Sequence, residues 1–341
     1  MGLSDEALVV QVCKLYYEQK MTQQEIARFL GISRTRIVRC LQDGLASGIV
    51  QIRVVDPSES SCQDLTRRLN KFFPLKALEI VPNGDPENPM LYKNLAHRAE
   101  KVFMNFLGAN FKVGVGWGKS VFTFLSEFPS GNFSFFQPTW IPLIGGLGEA
   151  EQFFQVNELV RIMQKKMGGR CHSLHAPALV ESKAIKTALL SDGGIQTVTN
   201  KWDEMDMAVF GIGAIQPREP AHPPLLHMKY LPEPDRKEIL QSNAVGDILS
   251  RFFDRTGRTC EFESSQRIIG VTLSQLRNTP VTLAIVGGEH KAEAILGALR
   301  GKYINCLVTD ESAAKKMLEM ISKEGKLNFF EGEKICSPNP H

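Results

Sequence analysis

Apolar residues recur at three- and four-residue spacings from Glu6 to Leu45, the period of helices that bury one face. After Gly48 the pattern changes to the alternation Ile49-Val50-Gln51-Ile52-Arg53-Val54, which predicts a short strand ended by Asp56-Pro57-Ser58. A polar, charged helix is predicted over 63–72, with Leu65 and Leu69 on one face. Beyond it, short apolar runs at 77–81, 112–116, 140–144, 207–211 and 281–286 alternate with helical periodicity, and several of them end in glycine. That alternation is the signature of a parallel sheet with helices on both faces. The run at 248–253 reads as an apolar helix led in by Ala244-Val245-Gly246-Asp247. Residues 216–234, which hold His222-Pro223-Pro224, read as an irregular surface excursion, and the chain after Phe330 reads as disordered. The expected organisation is a small helical domain over 1–56, a linker helix over 57–75, a large α/β domain over 76–330 and a tail over 331–341.

Composition agrees with two domains and narrows their setting. A chain of 341 residues exceeds one ordinary domain, and its 43% hydrophobic and 23% charged residues are those of a globular protein. No apolar stretch approaches the roughly 18 residues of a membrane span. The start, Met1-Gly2-Leu3-Ser4-Asp5-Glu6, lacks the basic and apolar regions of a signal peptide, so a cytoplasmic protein is expected. The 7 cysteines are scattered with no C-x-x-C pair, which points to reduced, mostly buried thiols. His172 with His175, and His222 with His227, have no carboxylate or cysteine at ligand spacing, so neither a metal nor a cofactor is expected. No nucleophile elbow and no Ser, His and Asp set can be assembled, so no catalytic residue is expected.

The net charge of +3 is too small to announce a polyanionic partner, and the local placement of charge decides the matter. Thr22 and Glu25 have the spacing of a capping box, Ile26, Ala27 and Leu30 share one face, and Gly31 supplies a tight turn. Ser33 then caps a second helix whose Ile37, Val38 and Leu41 face inward. This is a helix-turn-helix, and the following strand would make it winged. Its free face carries Arg34, Thr35, Arg36 and Arg39, and between Glu25 and Asp43 no acid accompanies Arg28 and these three arginines. Double-stranded DNA is the expected partner, with Arg34 and Arg36 reading bases and Arg28 and Arg39 holding phosphates.

The larger domain has glycine clusters at three strand ends: Gly114-Val115-Gly116-Trp117-Gly118-Lys119-Ser120, Gly145-Gly146-Leu147-Gly148 and Gly287-Gly288-Glu289-His290-Lys291. The first opens a helix, and its backbone amides with Lys119 and the Ser120 hydroxyl have the makings of a phosphate cradle. Glycine at a strand end serves a tight turn just as well. Asp247 reads either as a helix cap or as a ligand group, and Lys291 at a helix start opposes the helix dipole, which favours an anionic ligand there.

These motifs, together with Leu15-Tyr16-Tyr17, Pro142-Leu143-Ile144-Gly145-Gly146, Val209-Phe210-Gly211-Ile212-Gly213 and the stretch 301–310, resemble the SorC family of sugar-responsive bacterial regulators from about Leu15 to Met320. The resemblance implies a Rossmann-like sugar-binding domain similar to ribose-phosphate isomerases and glucosamine-phosphate deaminases, without catalytic duty. It implies a homotetramer, a dimer of dimers, that regulates a carbohydrate-utilisation operon in response to a phosphorylated sugar or polyol. By position, Gly116, Gly118, Lys119 and Ser120 with Gly145 and Gly146 would form the phosphate end of the site, and Asp247 and Lys291 would touch the sugar. Members that bind a bisphosphate have an arginine before the Gly-Gly pair, where this chain has Ile144, so a monophosphate is expected.

Two other readings compete. A sugar-phosphate isomerase or deaminase with an appended helical domain would need a positioned base, and no Asp, Glu and His grouping offers one. A dinucleotide sensor would need a G-x-G-x-x-G followed by an acid about 20 residues on, which is missing.

Overall fold

The computed structural model describes residues 5–50, 57–82, 89–131, 133–148, 155–215 and 231–333. The chain divides into two compact units, Met1–Pro57 and Ser58–His341.

In the smaller unit, α1 (Asp5–Cys13) runs into a π-helical stretch, Lys14–Glu18, and is followed by α2 (Gln23–Leu30) and α3 (Arg34–Ala46). Val12, Ile26 and Ile37 are fully buried at its centre, with Cys40 and Leu41 beside them. The two helix starts are set by their caps. The Glu25 amide donates to Thr22 Oγ1 (3.3 Å) while the Thr22 amide donates to the Glu25 carboxylate (2.8 Å), and the Arg36 amide donates to Ser33 Oγ (3.3 Å). Gly31 takes the left-handed conformation (φ 65°) that ends α2. Gly44 is needed for space: a Cβ there would lie 2.4 Å from Cys13 Sγ on α1. The backbone bends at Ile49 and Val50, where the expected strand begins, and 51–54 lie outside the described residues.

The larger unit opens with α4 (Pro57–Phe72), then β1 (Ala77–Val81), α5 (Pro89–Phe106), β2 (Lys112–Val115), α6 (Lys119–Glu127), β3 (Thr139–Pro142), α7 (Val156–Met167), β4 (Arg170–Cys171), α8 (Lys183–Leu190) and α9 (Gly193–Thr199). It continues with β5 (Met207–Phe210), β6 (Gly213–Ala214), α10 (Glu233–Gln241), β7 (Ala244–Ile248), β8 (Arg251–Asp254), β9 (Thr259–Cys260), α11 (Leu273–Asn278), β10 (Val281–Ile285), α12 (Ala292–Arg300), β11 (Cys306–Asp310) and α13 (Glu311–Glu333). Among the described residues, seven parallel strands pair in the order β1-β11-β10-β5-β2-β3-β4. Every residue of β5, β10 and β11 is buried, the state of strands covered on both faces. The helix read as a linker is part of this unit, because Cys62, Leu65 and Leu69 of α4 are buried in its core.

Three expectations give way. The run 248–253 is no helix: β7 and β8 form an antiparallel hairpin, with Leu249 (φ 53°) and Ser250 (φ 62°) as a two-residue turn. A short apolar run carries no periodicity that separates strand from helix, and pairing decides. The hairpin belongs to a second sheet, β6-β7-β8-β9. The irregular stretch 216–234 ends earlier than expected, since α10 starts at Glu233 behind Pro232; residues 216–230 lie outside the described residues. The tail expected to be disordered after Phe330 begins inside α13, and 334–341 lie outside the described residues.

Candidate functional site

In the smaller unit, Arg28, Ser33, Arg34, Thr35, Arg36 and Arg39 are all exposed, because burial of Ile37, Cys40, Leu41 and Gly44 turns the opposite face of α3 outward. Arg34 is held: its Nε donates to Gln23 Oε1 (3.3 Å), which ties the start of α3 to the start of α2. The Thr22 hydrogen bonds hold the Glu25 carboxyl below its usual range, so the capping box is charged at neutral pH.

In the larger unit, the C-terminal ends of β2, β5, β10 and β11 lie side by side. After β2 the Gly116 amide donates to Val209 O (2.8 Å), and the chain turns at Gly118 (φ 122°) into α6. The first helical bond of α6 runs from the Phe122 amide to Gly118 O, and Gly118 contributes no side-chain cap. A helix start in this state leaves backbone donors and a positive dipole end to be met from outside. Lys119 is exposed there and Ser120 buried, and a Cβ on Gly118 would meet only open space. Gly211, after β5, lies between this loop and β10, its Cβ direction 3.7 Å from Trp117 O and 3.9 Å from Ile285 O.

After β10, Gly288 (φ 105°) turns the chain into the 3-10 stretch Glu289–Lys291 that leads α12. Its amide donates to the carboxylate of Asp310, at the end of β11. Asp310 is fully buried and also accepts from the amides of Ser312 (3.0 Å) and Ala313 (3.1 Å), which caps α13. Asp247 comes in on the hairpin. Gly246 lets β7 approach α12, since a Cβ there would lie 2.5 Å from Ala294 Cβ, and the Ser250 amide donates to Asp247 Oδ2 (2.8 Å). That bond supports a left-handed turn whose two non-glycine residues cost on the order of 1–3 kcal/mol each. The turn also presses Leu249 against Gly116, whose Cβ would lie 2.9 Å from Leu249 Cδ2. Asp247 is therefore a hairpin residue and not a helix cap.

The charges of Asp247 and Asp310 act on Lys291. Burial pushes its ammonium below the ordinary lysine value, and the two carboxylates draw it back only in part. A cation held at such a cost beside a helix start is what an anionic ligand would relieve.

The strand ends thus bring together Gly116, Gly118, Lys119, Ser120, Asp247 and Lys291. Gly145 and Gly146 have a different part. Their amides donate to Ile269 O (3.0 Å) and Ala176 O (2.9 Å), and a Cβ on Gly145 would lie 2.5 Å from the Ala176 carbonyl oxygen. Their backbone donors are spent inside the protein, and Gly145 is needed where the chain passes close to the Ala176–Pro177 backbone. Pattern reasoning missed Tyr92, Asp310 and Leu249. Tyr92 sits in α5, its ring under Lys119 Nζ at 4.4 Å. Only the position of Asp310 just beyond the apolar run 306–308 could have flagged it, as a strand-end acid. Among the described residues no group of three or more His, Cys, Asp or Glu is placed to hold a metal, and no helix is long and apolar enough to cross a membrane.

Residues 58–319 match the protein-family model described as "Putative sugar-binding domain", and residues 10–47 match that of sigma-70 region 4. The sorbitol operon regulator of Klebsiella pneumoniae is 33% identical over 318 residues, 92% of this chain and 98% of that protein. The transcriptional regulator LsrR of the same species is 31% identical over 323 residues, 94% of this chain and 96% of that protein. The crystal structure of full-length SorC from Klebsiella pneumoniae superposes with a TM-score of 0.73 at 29% identity, over 93% of this chain and 100% of that one.

Proposed function

The chain belongs to the SorC family of sugar-responsive bacterial transcriptional regulators, and from that premise we propose that it binds an operator of a carbohydrate-utilisation operon under the control of a sugar or polyol monophosphate. The observation that carries this reading is the meeting, at four adjacent strand ends, of a helix start bearing Lys119 and Ser120 with the Asp247 and Lys291 pair. The phosphate takes the amides at the start of α6, the Ser120 hydroxyl and the Lys119 ammonium. The sugar hydroxyls lie toward Asp247 and Lys291, a carboxylate and an ammonium that accept and donate charge-assisted hydrogen bonds.

A single phosphate is favoured because position 144 carries a buried isoleucine, bridged to Gly270, in place of an arginine. Arg251 cannot substitute, since its guanidinium already donates to the carbonyls of Val271, Ser265, Ile268 and Gly270.

In the smaller unit Arg34 and Arg36 read base edges in the major groove, with Thr35 beside them, and Arg28 and Arg39 grip phosphates. Self-association as a dimer of dimers presents these helices to half-sites about one DNA turn or a multiple apart. The ligand is read by the rest of the chain through the loop it closes on. Gly288 is tied to Asp310, the next residue Glu311 accepts a hydrogen bond from Ser61 Oγ (2.7 Å), and Ser61 lies in the first turns of α4, which begins where the smaller unit ends.

The test is thermal unfolding of the full-length protein against a panel of sugar and polyol monophosphates. A ligand that binds only the native state raises the midpoint by an amount that grows with the logarithm of its concentration over Kd. At least one monophosphate is expected to do so, with the effect lost in Lys119→Met; a panel without effect would remove this reading.

A further inference from the structure

Resting on the phosphate site just described, we propose that Tyr92 is a positioning residue for that site: its ring holds the Lys119 ammonium at the start of α6, where the effector phosphate docks.

Lys119 is the first residue of α6, a position at which the helix dipole opposes a cation. An exposed lysine there gains by reaching out into solvent, and it has enough rotamers to do so. Here its Nζ lies 4.4 Å from the centroid of the Tyr92 ring. A ring face attracts an ammonium by about 0.5–1 kcal/mol at an exposed site. That offsets part of the roughly 1.5–2 kcal/mol that ordering a lysine side chain costs, and so biases it toward the ring. The entropy of ordering a lysine, which an anion would otherwise have to offset on binding, is then met in part beforehand.

The turn of helix that carries the ring is anchored. Tyr92 follows Leu91, which is buried, and Leu91 and Leu95 pack beneath Gly287, whose Cβ would lie 2.8 Å from Leu95 Cδ1 and 3.5 Å from Leu91 Cδ2. The start of α5 thus packs against the glycine loop that carries Lys291. Burial and the nearby Asp310 carboxylate push the Tyr92 phenol above its ordinary value, so the ring carries a neutral hydroxyl at neutral pH. Tyr92 joins the two halves of the site: its ring serves Lys119, and its own turn of helix packs against the loop of Lys291.

The test is a double-mutant cycle on the full-length protein with inorganic phosphate as the probe, followed by calorimetry and with folding checked by thermal unfolding. Tyr92→Leu should weaken phosphate binding about twofold to fivefold, the fold-change that a cation–π contact of this class implies. Tyr92→Phe, which keeps the ring, should restore it. In the Lys119→Met background Tyr92→Leu should have no further effect. An equal loss in both backgrounds, or no loss in either, overturns the role of Tyr92 while leaving the phosphate site in place. Failure of the wild-type protein to bind phosphate or any sugar monophosphate, or identical binding by Lys119→Met, overturns the site and this inference together.

Discussion

Lys291 concentrates the chemistry of the larger unit in one residue. Its ammonium is carried below the ordinary lysine value by burial, against the pull of Asp247 and Asp310. Between that lowered value and the ordinary one the unfolded chain binds the extra proton, so the ligand-free protein gains stability as pH rises through this window. Lys291→Met removes the penalised charge. The variant should unfold at a higher temperature than the ligand-free wild type at neutral pH, and it should lose its response to sugar monophosphates. A lower midpoint without ligand would mean that the two carboxylates depend on Lys291 for their own stability. At this scale the sequence was informative where a residue type opposes its local setting, as a lysine at a helix start does. It was silent on Tyr92, because a tyrosine in an amphipathic helix looks like any half-buried aromatic until α5 and α6 are packed together. Gly145 and Gly146 show the converse: a conspicuous motif whose amides turn out to be spent on Ile269 and Ala176.

The elements differ in how far their patterns betray them. The helix-turn-helix was legible to the residue, because caps are local: Thr22 with Glu25, Gly31 and Ser33 each act within four positions along the chain. The parallel strands β1, β2, β3, β5 and β10 were legible as short apolar runs. The β7–β8 hairpin was not, since its turn uses Leu249 and Ser250 in a conformation that glycine or asparagine ordinarily supplies, and its stability comes from Asp247 and from packing on Gly116. Helix α4 was read by its charged outer face as a linker, yet Cys62, Leu65 and Leu69 tie it to the core. If the Ser61 to Glu311 hydrogen bond carries the ligand signal toward the smaller unit, Ser61→Ala should bind sugar monophosphate with near wild-type affinity while its operator affinity no longer follows the ligand. Titrating ligand and operator DNA separately checks this, and an undiminished DNA response in the variant would exclude the route.

For the whole molecule, the sheet order explains how residues as far apart as Lys119, Asp247 and Lys291 can meet in the proposed site: β10 and β2 flank β5, and the hairpin approaches α12 beside them. No reading of one segment could give that order, because it is fixed by which strands pair across the chain and not by any strand alone. The smaller unit is nearly neutral as a whole, its arginine face included, so a single copy would gain little from phosphate neutralisation, and the proposed operator binding would draw on several copies acting together. The most direct test of the account is the dissociation constant of the full-length protein for a duplex it selects from a random pool, measured at fixed salt with and without each sugar monophosphate that shifts its thermal unfolding. The account predicts a change of about fivefold or more with at least one of them, the usual scale of coupling between distant sites, and none in Lys119→Met. An operator affinity that stays constant while the ligand is demonstrably bound would contradict it.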